Sequence, residues 1–126
     1  MKFLFHSEHA TYDATTKVWT FTLTERLHNP TNLVLEHVVF TPSGTARPNC
    51  IYLRSNALHR LMRGTHTTLV KTHQESSAVI AVLHETQSGR YTLEQPREFL
   101  CQPNQSTKVI DFQFTDGDTP LTGVVS

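Results

Sequence analysis

The eight histidines are the side chains of this sequence best suited to chemistry. Two of them, His6 and His9, flank Glu8 in the stretch HSEH, which places three potential metal ligands within four residues. In an extended segment, side chains three positions apart point to opposite faces, so His6 and His9 could share a metal only across a turn. The stretch also lacks the helical HExxH arrangement, and the cysteines are not spaced as CxxC. We therefore expect no metal site.

Other potentially reactive residues lack the partners that catalysis requires. Ser43 lies between a proline and a glycine in TPSGTA, but no strand-to-helix elbow follows it. Cys50 has no local base that would activate its thiol. Asp116 and Asp118 are paired carboxylates, and a chain-reversing turn in TDGD explains both of them. Because the glycines are scattered singly, no phosphate-binding loop is present either. We expect no enzymatic activity, no catalytic residue and no cofactor.

The charge balance bears on the class of partner. Eleven basic and eleven acidic side chains give a formal net charge of zero. Nucleic-acid-binding proteins normally carry a positive excess, so a direct role with nucleic acid is not expected. A surface without net charge also lacks self-repulsion, which favours a protein that joins an assembly.

The cysteines and the apolar runs indicate the compartment. Cys50 and Cys101 could form a disulfide if their strands were neighbours, but free thiols are favoured because nothing in the sequence indicates secretion. The apolar run at residues 3–5 is shorter than the roughly 7 residues of a signal-peptide core. No run reaches the roughly 18 apolar residues of a membrane span. We therefore expect a chain that is made and kept inside a cell, or inside a particle assembled there.

Two-residue alternation dominates the elements that must position these side chains. In residues 17–25, large apolar residues alternate with threonines, and residues 108–121 repeat the rhythm until TDGD reverses the chain. Such alternation predicts strands with one buried face. Asp111, Gln113 and Thr115 are expected to face outward. Residues 32–40 predict a strand that is covered on both faces. The expected core residues are Trp19, Phe21, Leu23, Ile110, Phe112 and Phe114.

One short helix is predicted near residues 56–63. Ser55 can cap its start, and Gly64 can end it. Further strands are predicted at 49–55, 65–72, 76–85, 89–93 and 98–101. Because no long helices separate the strands, a parallel sheet is excluded. We expect residues 1–126 to form one all-β domain, an antiparallel sandwich with Greek-key or jelly-roll connections and eight to ten short strands.

Two segments have candidate contact residues. SSAVIAVLHE is apolar on both strand faces, so Ile80 and Val82 either lie under a loop or the short helix, or contact another subunit. LHRLMRG combines apolar residues with Arg60 and Arg63, which form either a solvated basic side of the helix or a docking element for an acidic neighbour. The candidate partner-interface residues are Arg60, Arg63, Ile80 and Val82.

The order of the segments resembles a known group of proteins. The succession WTFTLTERLHNPTNLVLEHVVFTPSG, PNCIYLRSNAL, SAVIAVLHE and YTLEQPREFLCQPNQSTKVIDFQFTDGDTPLTG is similar to the small jelly-roll structural proteins of eukaryotic double-stranded DNA viruses. The resemblance is to those of Polinton-like viruses, virophages and adintovirus-like elements. It covers about 100 residues and consists of strand patterning. It implies a jelly-roll or tumour-necrosis-factor-like sandwich and a virion protein: a minor capsid protein, a penton-like vertex subunit, a cement protein or a trimeric tumour-necrosis-factor-like head.

The expected function is therefore that of a capsid structural protein. Its partners would be other capsid proteins and further copies of itself, in a trimer or pentamer, and its location would be the virion. One alternative is a receptor- or glycan-binding head on the same fold, with Tyr12 or Tyr91 as the exposed aromatic residue. The other is a cupin-like metal enzyme that uses His6, His9 and a third histidine, which ranks last.

Overall fold

The computed structural model describes residues 3–44, 47–62 and 79–125. These ranges contain eleven strands, one helix and a short 3-10 turn at Ser7–His9. The strands are β1 (Thr11–Asp13), β2 (Val18–His28), β3 (Asn32–Leu35), β4 (Val39–Pro42), β5 (Cys50–Arg54), β6 (Val79–Gln87), β7 (Arg90–Thr92), β8 (Arg97–Leu100), β9 (Ser106–Asp116), β10 (Thr119–Leu121) and β11 (Gly123–Val125). The helix is α1 (Asn56–Leu61). Three-residue strands such as β1 are too short to show alternation, so the sequence predicted fewer strands.

The long strands β2 and β9 form an antiparallel pair that supplies much of the core. Their register places Trp19 opposite Phe112 and Phe21 opposite Ile110. All six predicted core residues are buried, which confirms the alternation argument for both strands. Thr115 is the exception among the residues predicted to face outward, since only 2% of its surface is exposed. Its hydroxyl accepts a hydrogen bond from Nε of Arg54 at 3.1 Å, and this bond satisfies the buried oxygen.

The large sheet curls strongly. Its strands follow the order β1-β2-β9-β5-β6-β7-β4-β11, and β10 pairs with β9. Although β2 and β4 are far apart in this order, the ring centroid of Trp19 lies 6.1 Å from that of Phe40 on β4. Phe114 of β9 stacks on Phe40 at 4.2 Å. These contacts require opposite parts of one sheet to face each other, so eight strands form a half-barrel around an aromatic core. The predicted all-β antiparallel fold with one short helix is confirmed.

A small second sheet consists of β3 and β8. The prediction of one strand over residues 32–40 is wrong, because β3 pairs with β8 while β4 joins the half-barrel through β7 and β11. The chain thus changes sheets between Leu35 and Val39. Val34 is 50% exposed, so this segment is not covered on both faces as expected.

Helix α1 begins as predicted and lies against the half-barrel. Ser55 has the extended backbone of an N-cap (φ −152°, ψ 115°), and its Oγ accepts a hydrogen bond from the Leu58 amide at 3.2 Å. Ala57 and Leu61 are buried, and the helix contacts β9 and β6. Gly64, the strand predicted at 65–72 and the beginning of the one predicted at 76–85 lie outside the described residues.

The N-terminal segment covers one end of the half-barrel. Phe5 packs against Phe21 at 4.8 Å and against Phe112 at 5.4 Å, between ring centroids. Ser7 Oγ accepts a hydrogen bond from the Val125 amide at 3.2 Å and lies 3.5 Å from the Val125 carbonyl oxygen. Edge strand β11 is therefore protected at this residue by a side chain instead of another strand.

Both cysteine thiols are free. Cys50 is half-buried on β5 in the large sheet, and Cys101 is buried just beyond β8 of the small sheet. Burial raises the pKa of the Cys101 thiol, because the apolar surroundings disfavour the thiolate. The helix found in the described ranges falls short of the length and apolar character that crossing a membrane requires.

Candidate functional site

An open groove of about 470 Å³ lies on the outer surface of the half-barrel, beside helix α1. We call it the basic groove. It is lined by Thr20, Arg26, Asn56, Ala57, Arg60, Ser106, Thr107, Lys108, Val109 and Asp111. These residues come from β2, β9 and α1, so the groove is built from three elements that meet only in the folded chain.

The floor of the basic groove is the outer face of the β2–β9 pair. Thr20 lies opposite Asp111 in the register, and Thr22 lies opposite Val109. Because strand side chains alternate, these residues point away from the buried neighbours that fill the core. Val109 is 45% exposed, so the floor offers apolar as well as polar surface.

Asp111 attaches helix α1 to the sheet. Its Oδ1 accepts a hydrogen bond from the Ala57 amide at 2.8 Å, and its Oδ2 accepts one from the Asn56 amide at 3.1 Å. The Ser55 hydroxyl donates to Oδ1 at 3.4 Å. A carboxylate at the first turn of a helix satisfies amides that have no partner within the helix. This acidic side chain is therefore engaged by the helix, and it fixes the position of Arg60 one turn further along.

Three cationic side chains surround the groove: Arg26 on β2, Arg60 on α1 and Lys108 on β9. All three are exposed. None forms an ion pair with any residue in the described ranges. Arg26 lies where the β2–β9 register shifts, between Thr22 and Leu27, so an irregularity of the strand places it at the groove. The groove therefore combines positive charge with surface open to a partner, and it can bind carboxylate or phosphate groups.

The predicted interface residues are divided by the fold. Arg60 is exposed at the basic groove, and Val82 is half-buried on β6. Ile80 has no exposed surface, which favours the alternative of a covered strand over contact with another subunit. It belongs to the same hydrophobic core cluster as Ala81 and Leu83, and the β5–β6 register shifts beside it, between Leu53 and Arg54. Arg63 lies outside the described residues.

The histidine stretch adopts a turn and not the extended form considered above. The His9 amide donates to the His6 carbonyl oxygen at 3.0 Å, and the two imidazole rings lie 6.2 Å apart between centroids. His9 Nε2 lies 3.5 Å from a Glu8 carboxylate oxygen, with both side chains largely exposed. Within the described part of the chain, no group of three or more histidine, cysteine or acidic residues could hold a metal ion.

The glycan-binding candidates occupy different environments. Tyr91 is fully buried, and its hydroxyl donates to the Pro48 carbonyl oxygen at 2.5 Å, so the prediction of an exposed loop aromatic is wrong for this residue. Tyr12 is 38% exposed on edge strand β1, where its ring packs on Trp19 at 4.8 Å between centroids.

The sequence identified Arg60 but not the rest of the basic groove. Arg26 and Lys108 are more than 80 positions apart, and only the β2–β9 register brings them to the same groove. Asp111 was recognised as outward-facing, but its bond to a helix more than 50 positions earlier had no local signal. The sequence signal that could have pointed to the groove is the alternation of β9, which places Val109 and Asp111 on the same outward face.

Comparisons of the chain with known protein families, curated proteins and solved structures gave no match.

Proposed function

We propose that this protein is a viral capsid structural protein, a minor capsid, penton-like vertex or cement subunit that acts in the virion through contacts with other capsid proteins and with copies of itself. The observation that carries the proposal is the basic groove: three exposed cations around an open surface whose floor is partly apolar. Such a combination can bind a loop of another protein, because the charges orient the partner while the apolar surface of the groove is buried in the contact. Sites for small substrates usually enclose most of the ligand.

A second exposed surface supports a role in contacts. On the small sheet, Leu100 lies opposite Asn32, and Val34 lies opposite Glu98. Leu100 and Val34 are therefore diagonal neighbours on one face, 56% and 50% exposed respectively. The same face carries a hydrogen bond from Asn32 Nδ2 to Glu98 Oε2 at 2.6 Å. An apolar pair beside polar side chains has the composition of a protein contact.

The proposed fold relationship is that the half-barrel is a curled form of the jelly-roll sandwich. The two walls of the curl would correspond to the two facing sheets, and the packing of Trp19, Phe40 and Phe114 between them supports this assignment. The protein would then serve as a stiff wedge without catalytic activity, while its outer faces form the contacts.

One observation favours the alternative of a receptor- or glycan-binding head. Tyr12 presents part of its ring on β1 at the edge of the sheet, and Trp19 supports the ring from below. Exposed aromatic rings suit the apolar faces of sugars. A glycan array with the intact chain and with Tyr12→Ala tests this alternative, and glycan binding that depends on Tyr12 would favour it over the capsid role.

The capsid proposal is tested by sedimentation velocity of the purified chain, followed by electron microscopy of any assembly. A closed trimer or pentamer supports a vertex or head position, and a chain that becomes soluble only with a capsid partner supports a cement position. A well-behaved monomer with stoichiometric iron, manganese or zinc and a measurable turnover would overturn the proposal in favour of an enzyme.

A further inference from the structure

The turn between β9 and β10 is an exposed acidic projection. Asp116, Gly117 and Asp118 are all exposed, and Gly117 has a positive φ of 60°, which suits the tight reversal. The Asp118 side chain is 71% exposed, and its Oδ1 lies 4.0 Å from Arg54 Nη2. Asp116 has no ion-pair partner among the residues that the structure describes. We call residues 116–118 the acidic turn.

The acidic turn lies far along β9 from the Lys108 part of the basic groove. Asp116 follows Lys108 by eight positions on the same strand, a separation of about 26 Å at about 3.3 Å per residue. This distance is more than twice the Debye length of about 8–10 Å at moderate ionic strength. The zero net charge of the chain therefore conceals two separated patches of opposite sign.

We propose that the acidic turn of one copy docks into the basic groove of a second copy. This inference rests on the proposed function, because it names one contact through which the subunit would assemble with itself. The two carboxylates of the turn, with Arg54 beside Asp118, would face three cations and the Asp111 carboxylate, which the amides of α1 already bind, so the two surfaces remain opposite in sign. Arginine can bind a carboxylate through two parallel hydrogen bonds. The turn projects from the surface and the groove is open, so neither side requires rearrangement of the core. Because the two patches differ, the contact is head-to-tail and generates a ring or an open filament.

Charge reversal tests the docking contact. The groove-reversed chain has Arg26→Glu and Lys108→Glu, and the turn-reversed chain has Asp116→Lys and Asp118→Lys. All four side chains are exposed, and circular dichroism would verify that both variants fold.

A matched control reverses two charges that belong to neither patch. Arg90 on β7 and Glu94 in the following loop are both exposed, and Arg90→Glu with Glu94→Lys leaves the net charge at zero. The groove reversal lowers the net charge by four and the turn reversal raises it by four, so only the equimolar mixture of the two reversed chains is again neutral.

Self-association is measured by sedimentation velocity at about 0.01 M salt, where the Debye length is about 30 Å, and at about 1 M, where it is about 3 Å. We expect the unmodified chain and the control to associate at low salt, and each reversed chain to associate at least about tenfold more weakly. An equimolar mixture of the two reversed chains should associate again. The acidic groove of one chain then meets the basic turn of the other, and the two unmodified surfaces also remain complementary.

Three results would overturn the inference. Association of the reversed chains at the unmodified strength would show that assembly uses another surface, and the proposed function would survive. A chain that stays monomeric at low salt would refute docking between copies, while contacts with other capsid proteins would remain testable. A monomer that binds single-stranded DNA or heparin, and loses this binding in the groove-reversed chain, would identify the groove as a polyanion site instead.

Discussion

Replacing Asp111 by alanine should loosen the attachment of helix α1, and the structure gives the expected cost. The carboxylate accepts hydrogen bonds from the Asn56 and Ala57 amides and from the Ser55 hydroxyl. A hydrogen bond to a charged group contributes about 1.5–3 kcal/mol, and loss of a helix N-cap costs about 1 kcal/mol. Because water can reach the exposed Asn56 amide once the carboxylate is gone, we expect the free energy of unfolding to fall by about 2 kcal/mol.

Urea unfolding followed by circular dichroism measures this change. If only stability has changed, the slope of the free energy of unfolding against urea concentration should be the same in the variant and the unmodified chain. Asp111→Asn should cost about half as much, because the amide oxygen can still accept a hydrogen bond although the charge is lost. Glu94→Ala removes an exposed acid elsewhere and should change stability by less than about 0.5 kcal/mol. A loss below about 0.5 kcal/mol for Asp111→Ala would refute the anchoring role.

A double-mutant cycle with Ser55→Ala tests whether the two caps act together. The Ser55 hydroxyl both accepts from the Leu58 amide at 3.2 Å and donates to Asp111 at 3.4 Å. Groups in one hydrogen-bond network show coupling of about 0.5–3 kcal/mol. Strict additivity of the two substitutions would mean that each side chain caps the helix independently.

Three further predictions concern the core and the sheet edge. Trp19→Ala should cost about 3–5 kcal/mol in urea unfolding, because its ring packs on both Phe40 and Phe114. Burial and, to a smaller extent, the Glu85 charge raise the pKa of Tyr91 above its usual 10.0. The contribution of Tyr91 to the free energy of unfolding is therefore complete below pH 10 and declines as the pH rises further. Tyr91→Phe should lower the free energy of unfolding at neutral pH, and the variant should lose less stability at alkaline pH than the unmodified chain. Gly123→Ala should lower the free energy of unfolding by about 2 kcal/mol in thermal unfolding, because a Cβ there would lie 2.2 Å from the Thr41 carbonyl oxygen. As a control, Thr122→Ala replaces the exposed neighbouring side chain and should leave the stability unchanged.

The sequence predicted the parts of the fold that depend on local pattern. The alternation in β2 and β9, the Ser55 cap and the TDGD reversal each involve residues within a few positions of one another, and the structure bears out all three. The apolar stretch around Ile80 was also recognised as a strand with two apolar faces. The sequence left open whether a loop, the short helix or another subunit covers its outer face. The burial of Ile80 in the core cluster favours cover by the chain itself.

The basic groove and the division of residues 32–40 could not be predicted in the same way. A strand pattern shows that a face is buried or exposed, but not which strand lies beside it. Val34 and Val39 both suit a strand, and their separation into two sheets follows from pairing with β8 and β7. Tyr91 illustrates the same limit, because burial of an aromatic residue on a short strand depends on β4 and on the Pro48 carbonyl oxygen.

Strand β9 separates the residues of the core from those of the proposed contact surfaces within eleven residues. Its inward side chains, among them Phe112 and Phe114, are held by aromatic packing, so substitution there should reduce the free energy of unfolding. Its outward and terminal side chains supply the basic groove at one end and the acidic turn at the other, where exposed charges contribute little to folding. Asp111 is the exception that joins the two roles, because it faces outward yet fixes the helix that has Arg60. The two-residue period thus allows the proposed contact surface to change without altering the core, provided that Asp111 is kept.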